Sequence, residues 1–179
     1  MTSLSVWFMD GRPEIATEIG RITVRWAALD LLLVQILGTV LKNQVAAHTI
    51  IFAEQNAGQQ RFQAFERVVG SSDLDTSTRK LIIDRMRQIR SLYRKRNAIV
   101  HEPLNGRFVI EGKKTLRSQV VAIDRYGKHR DISIEDFKAH AAEVDKHLSF
   151  LENISLEISP PELDDVAHDT LLQDDEGFQ

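Results

Sequence analysis

Apolar side chains recur at Ile15, Ile19, Ile22, Trp26, Leu29, Leu33, Ile36 and Val40. This unbroken four-three spacing marks one face of an α-helix buried along its length, and it predicts a first long helix over 13–41. Pro13 suits a first helical position, and Glu14 and Glu18 sit near the positive end of the helix dipole. From Leu29 onward, Leu31, Leu32, Val34 and Leu37 widen the stripe, so that half is expected to be covered on more than one side. A second helix is expected over 45–69, with Ile50 or Ile51, Phe62, Phe65 and Val69 inward and a break open in the polar stretch 54–61 around Gly58. Gly70-Ser71-Ser72-Asp73 ends it.

The third long helix opens with Asp75 or Thr76 as cap and turns Ile82, Met86, Ile89, Tyr93 and Val100 inward. Pro103 disfavours helical geometry at Glu102, which puts His101 in or just after the last turn. The period then changes. Phe108-Val109-Ile110, Gly112-Lys113-Lys114 and a Val- and Ile-rich run read as a β-hairpin over about 107–126, with Tyr126-Gly127-Lys128 as a second turn. A last long helix starts at Ser133, where Asp136 completes a capping box and Ile132 staples to Phe137. Phe137, Ala141, Val144, Leu148 and Leu151 repeat at helical spacing before Pro160-Pro161. The fold class is therefore mainly α: a four-to-five-helix bundle with a short β-hairpin inserted before the last long helix. One helical domain over 1–158 is followed by an acidic tail over 159–179, expected to be mostly disordered.

Composition fits a single soluble domain: 179 residues, 42% hydrophobic and 27% charged. The chain has no Cys, which excludes disulfides, thiolate metal sites and a cysteine nucleophile. The first residues have neither a basic region nor a long apolar run, so no signal peptide is expected. The apolar stretch 27–41 is interrupted by Asp30 and Gln35 and is shorter than the roughly 18–20 residues that span a bilayer. A cytoplasmic protein with no membrane partner is the expectation. Trp7, Phe8 and Met9 are read as an N-terminal arm packed on the bundle or on a second copy.

Net charge is −3, but residues 160–179 hold seven acids and no Lys or Arg, which leaves +4 on the rest. Residues 79–96 alone carry eight basic side chains against one acid, Asp84. On a helix, Arg90, Arg94, Asn97 and His101 fall within about 60° of one another. Arg forks phosphate oxygens and a nearby imidazole moves protons, so this stripe suits a phosphate ester. The alternative stays open that the face is merely solvated and His101 caps the helix C-terminus.

Arg96-Asn97-x-x-x-His101 resembles the signature of the HEPN superfamily, Arg-x(4–6)-His with a polar residue directly after the Arg. The similarity in helix order covers about residues 12–157; the residue-level match is confined to 96–101. The resemblance implies metal-independent cleavage of RNA by a homodimer that needs no cofactor. Many such proteins are toxins of toxin–antitoxin or defence systems, with an antitoxin as protein partner. Others have lost catalysis and bind RNA, nucleotide or protein. Carried over, Arg96 matches the family Arg, Asn97 the adjacent polar residue and His101 the catalytic His.

The bottom-up chemistry is compatible with that. RNA supplies its own nucleophile, the 2′-OH, so cleavage needs proton transfer and charge stabilisation rather than a metal. Arg96 would bind non-bridging oxygens, Asn97 position phosphate or ribose, and Arg90 and Arg94 contact the strand. Arg96 and His101 point about 140° apart on an ideal helix, so a partner subunit or a helix distortion must complete the site. Asp30 lies on the core-facing side of the first helix and needs a partner; Arg96 or another base of the third long helix is the expected one, with exposure at the bundle edge the alternative. Tyr93 is a supporting residue. His140, Glu143 and His147 have a spacing that can hold a metal, but a solvated face is the expected reading, and no metal ligand is assigned. The hairpin bases Arg107, Lys113, Lys114, Arg117, Arg125, Lys128 and Arg130 either extend an RNA surface or protect exposed strands from aggregation.

Overall fold

Pro13 opens α1 (Pro13–Leu41), and the apolar stripe becomes its buried face: Ile15, Ile22, Trp26, Leu29, Leu33, Ile36 and Leu37 are all inside. The computed structural model describes residues 12–53, 58–101, 104–111, 114–123 and 127–159. The expectations for the N-terminal arm and for residues 160–179 lie outside them. After Leu41 the chain reverses at Lys42, which takes a left-handed conformation (φ 50°). The Asn43 side chain then accepts from the Ala46 N–H at 3.0 Å and starts α2 (Gln44–Phe52).

The single helix expected over 45–69 is two helices. Ala53 is extended, Gly58 has φ 64°, and α3 runs over Gln60–Gly70. A positive φ at Gly58 suits a residue without Cβ and lets the chain turn so that Phe62, Phe65 and Val69 face inward. The break falls in the polar stretch around Gly58, where the sequence allows one.

Asp75 caps α4 (Thr76–His101), accepting from the Thr78 N–H at 3.0 Å and from the Ser77 hydroxyl. These bonds hold its carboxyl below the usual carboxylate range. Strands β1 (Leu104–Glu111) and β2 (Lys114–Ile123) form the hairpin, with Leu104 opposite Ala122 and a register shift at Val109/Ile110. A third strand, β3 (His129–Ile132), follows the turn at Gly127 and pairs antiparallel with β2, so the hairpin grows into a meander of order β1-β2-β3. Four residues are too few to show a strand period, which is why the sequence pattern stops at the turn. Ser133 and Asp136 form the capping box of α5 (Ile134–Ile158), and the staple residues Ile132 and Phe137 are both buried.

The most extensive helix–helix packing joins α1 to α5. By length and composition α1 could also cross a membrane, with a mean hydropathy of 1.7 over its most apolar window, which departs from the expectation that Asp30 and Gln35 interrupt it too much. Its inward face is packed in the bundle, while Val24 and Leu31 are 70% and 61% exposed on the outer face.

Candidate functional site

The C-terminal half of α4 presents three unlike sides. Leu92, Tyr93 and Ile99 are buried, Arg96 and Asn97 are half-buried, and Arg94 and Lys95 are exposed. Arg96 Nη1 donates to Asn97 Oδ1 at 3.1 Å, which fixes the two side chains as a unit. His101 is the last residue of α4; its side chain lies outside the described residues. Arg90, expected on the RNA surface, donates to Glu66 of α3 at 3.0 Å, so its charge is already offset. Among the described residues Arg94 has no such partner and remains an open cation. Of the hairpin bases only Lys128 has a described side chain, and it is exposed.

Asp30 is 8% exposed, which removes the alternative of a solvated bundle edge. Its expected partner is corrected: Arg61 of α3, not a base of α4, meets Asp30 Oδ2 at 3.0 Å. Arg61 lies about 40° from Phe65 around α3, hence on its inward side. Its guanidinium packs 4.9 Å from the Phe62 ring centre and 5.2 Å from that of Tyr93. Asp30 Oδ1 and Arg61 Nε are buried without a hydrogen bond. Burial pushes the Asp30 carboxyl up to about 6, against the pull of Arg61 and then Arg96. Arg96 is thus felt by Asp30 without bonding it.

Tyr93 is a core residue, edge-on to Trp26 at 5.6 Å and to Phe62 at 5.2 Å. On the other side of Trp26 stands His140, whose Nε2 accepts the indole N–H at 3.3 Å. The ring proton therefore sits on Nδ1. Burial, then Lys95 and Arg96, lower His140 to about 4. His147 is lowered too, by burial and Arg85, whose Nη1 faces His147 Nδ1 at 3.5 Å. The solvated face expected for His140, Glu143 and His147 is therefore wrong for both imidazoles, which are 6% and 2% exposed. They fall on the 3-4-3-4 stripe of Phe137, Val144 and Leu151, the spacing that could have shown them inward. Among the described residues no group of three His, Cys, Asp or Glu could hold a metal. Both imidazoles line a groove of about 720 Å³ between α4 and α5.

Asp30 and His140 make stability depend on pH in opposite senses. Asp30 ordinarily titrates at 3.8 and in the fold near 6, so its contribution is full at low pH and is lost as pH rises through 6. His140 ordinarily titrates at 6.5 and in the fold near 4, so its contribution is full above 6.5 and is lost as pH falls through 4. At about 1.4 kcal/mol per unit each effect is about 3 kcal/mol, and the two largely cancel between pH 4 and 6. Relative to wild type, Asp30→Asn will lose stability from pH 6.5 to 4, and His140→Gln will gain it. Urea midpoints across that range test this; parallel curves for all three proteins contradict it.

No protein-family model matches the chain, and neither a curated protein nor a solved structure matches it.

Proposed function

We propose that the chain is a metal-independent endoribonuclease of HEPN type that acts as a homodimer, as a toxin or defence effector, with Arg96, Asn97 and His101 at its site. The observation that supports it most is the Arg96–Asn97 unit: a half-buried guanidinium held by its neighbour one turn before the helix ends at His101. A cation held this way needs little reorganisation to meet a phosphate. Open Arg94 adds charge on the flank of Asn97 for the strand.

In the proposed reaction one His101 imidazole takes the proton of the 2′-OH, whose oxygen attacks phosphorus. The bond from phosphorus to the 5′-oxygen breaks, and that oxygen takes a proton from a second imidazole. The products are a 2′,3′-cyclic phosphate and a 5′-hydroxyl. His140 and His147 are poor candidates for the second group, because both are buried in α5 and His140 Nε2 is already tied to Trp26. The two-fold partner's own copy of this histidine supplies it.

The test is RNA cleavage in EDTA. Wild type is expected to cleave, His101→Ala to lose about 10²–10⁴-fold and Arg96→Ala about 10²–10³-fold. A folded wild-type protein that binds RNA without cutting it overturns the enzyme reading in favour of a binding module. Activity that is unchanged in His101→Ala, or abolished by EDTA, overturns the mechanism.

A further inference from the structure

The groove between α4 and α5 lies across α4 from Asn97, which is about 160° round the helix from Lys95, while Arg96 stands between them and is felt by His140. Its α4 wall runs from Gln88 to Ile99, which at 1.5 Å per residue is about 16 Å, the length of an extended segment of about five residues. Three features define what fits. At the centre, Lys95 makes no ion pair among the described residues, and the 6%-exposed His140 borders the groove with Nε2 tied inward to Trp26. The Nδ1–H of His140 has no hydrogen-bond partner among the described residues, and His140 lines the groove together with the Lys95 ammonium and the Ser91 hydroxyl. Next along the groove are Ile99 and Ile132, an apolar step. At the end stands exposed Asp131, whose carboxylate has no ion pair among the described residues.

We propose that this groove captures the C-terminal carboxylate of a peptide ending in an apolar residue, with a basic residue one or two positions before it. The carboxylate meets Lys95, His140 Nδ1–H and Ser91; the last side chain lies on Ile99 and Ile132; the basic side chain reaches Asp131. Glu143 also borders the Lys95 end but is paired with Lys146 at 2.9 Å. A bare anion would leave the apolar step and Asp131 unused, and a nucleic-acid strand would carry further phosphates past Asp131 and Asp136, where the peptide brings a single carboxylate. This goes beyond the ribonuclease reading and stands without it.

The reporter is the Trp26 indole N–H, the one tryptophan N–H left in a Trp7→Phe background. A carboxylate on Nδ1–H polarises the imidazole and strengthens the bond that Nε2 accepts from Trp26, so binding moves that resonance. Acetyl-Arg-Ala-Leu as the free acid is expected to shift it saturably with Kd of about 1 mM or tighter. The same peptide as its C-terminal amide is expected to bind at least about tenfold more weakly, because it lacks the charge-assisted bonds. Lys95→Glu should remove the response to the acid. Asp131→Asn should reduce the preference for acetyl-Arg-Ala-Leu over acetyl-Glu-Ala-Leu by about threefold. Equal binding of acid and amide, no shift up to about 10 mM, acetate binding as tightly as the peptide, or an RNA oligonucleotide moving the resonance at lower concentration each overturns the proposal. None of these readouts uses RNA cleavage, so failure of the nuclease reading leaves them intact.

Discussion

Arg61→Met will lower the stability of the fold by about 3–5 kcal/mol at neutral pH. The substitution keeps the length and apolar packing of the stem against Phe62 and Tyr93 but leaves the Asp30 carboxylate buried with no bonded countercharge. Asp30 Oδ1 already lacks a hydrogen bond, so the loss of the Oδ2 partner strips the group. Burial, opposed now only by Arg96, then pushes the carboxyl further above 6, and protonation limits the damage. The penalty should accordingly shrink as pH is lowered to about 5. Asp30→Asn in the same chain should recover most of the loss, because a neutral amide tolerates burial better than a carboxylate. Denaturant unfolding of the two single variants and the double variant measures this coupling. An Arg61→Met protein within about 1 kcal/mol of wild type at both pH values would show that the pair carries no such weight.

Trp26→Ala will be comparably damaging, at about 3–5 kcal/mol or a fall in Tm of roughly 10 °C. Trp26 touches Phe62, Tyr93 and His140, so its removal opens a cavity where α1, α3, α4 and α5 meet. Trp26→Phe separates the two contributions. It keeps most of the ring packing and deletes the N–H that His140 Nε2 accepts, at about 1–3 kcal/mol. Val24→Ala, on the exposed outer face of the same helix, should stay within about 0.5 kcal/mol. Thermal melts that put Trp26→Ala and Val24→Ala side by side would contradict the central placing of the indole.

The long elements were readable because their periods are long. α1 begins and ends at Pro13 and Leu41 as the apolar spacing predicts, and the Ser133–Asp136 box marks the start of α5. β3 was not readable, since its four residues alternate too briefly to stand out from the turn before it. The polar interior was the harder part. A buried Asp30 could be anticipated from its angle on α1, but its partner could not be picked by charge density. The densest basic helix supplies only a field from Arg96, and the bond comes from Arg61 on a short helix that reads as polar surface. Arg61 does lie on the inward side with Phe62 and Phe65, so helical angle outranks local composition as the signal. His140 and His147 teach the same lesson: weighing their spacing only as a metal site against a solvated face overlooks that it is also core spacing, and both are buried.

The pairing of α1 with α5 joins elements from opposite ends of the described chain, with about ninety residues between Leu41 and Ile134. On a ribosome making about 5–20 residues per second, the inward stripe of α1 waits roughly 5–20 s before the helix that covers it is complete. In that interval α2, α3 and α4 can shield only part of Ile15, Ile22 and Leu29, because α1 packs most extensively on α5. The nascent chain therefore presents a greasy rod to chaperones for most of its synthesis, and it closes its core only when the last long helix emerges.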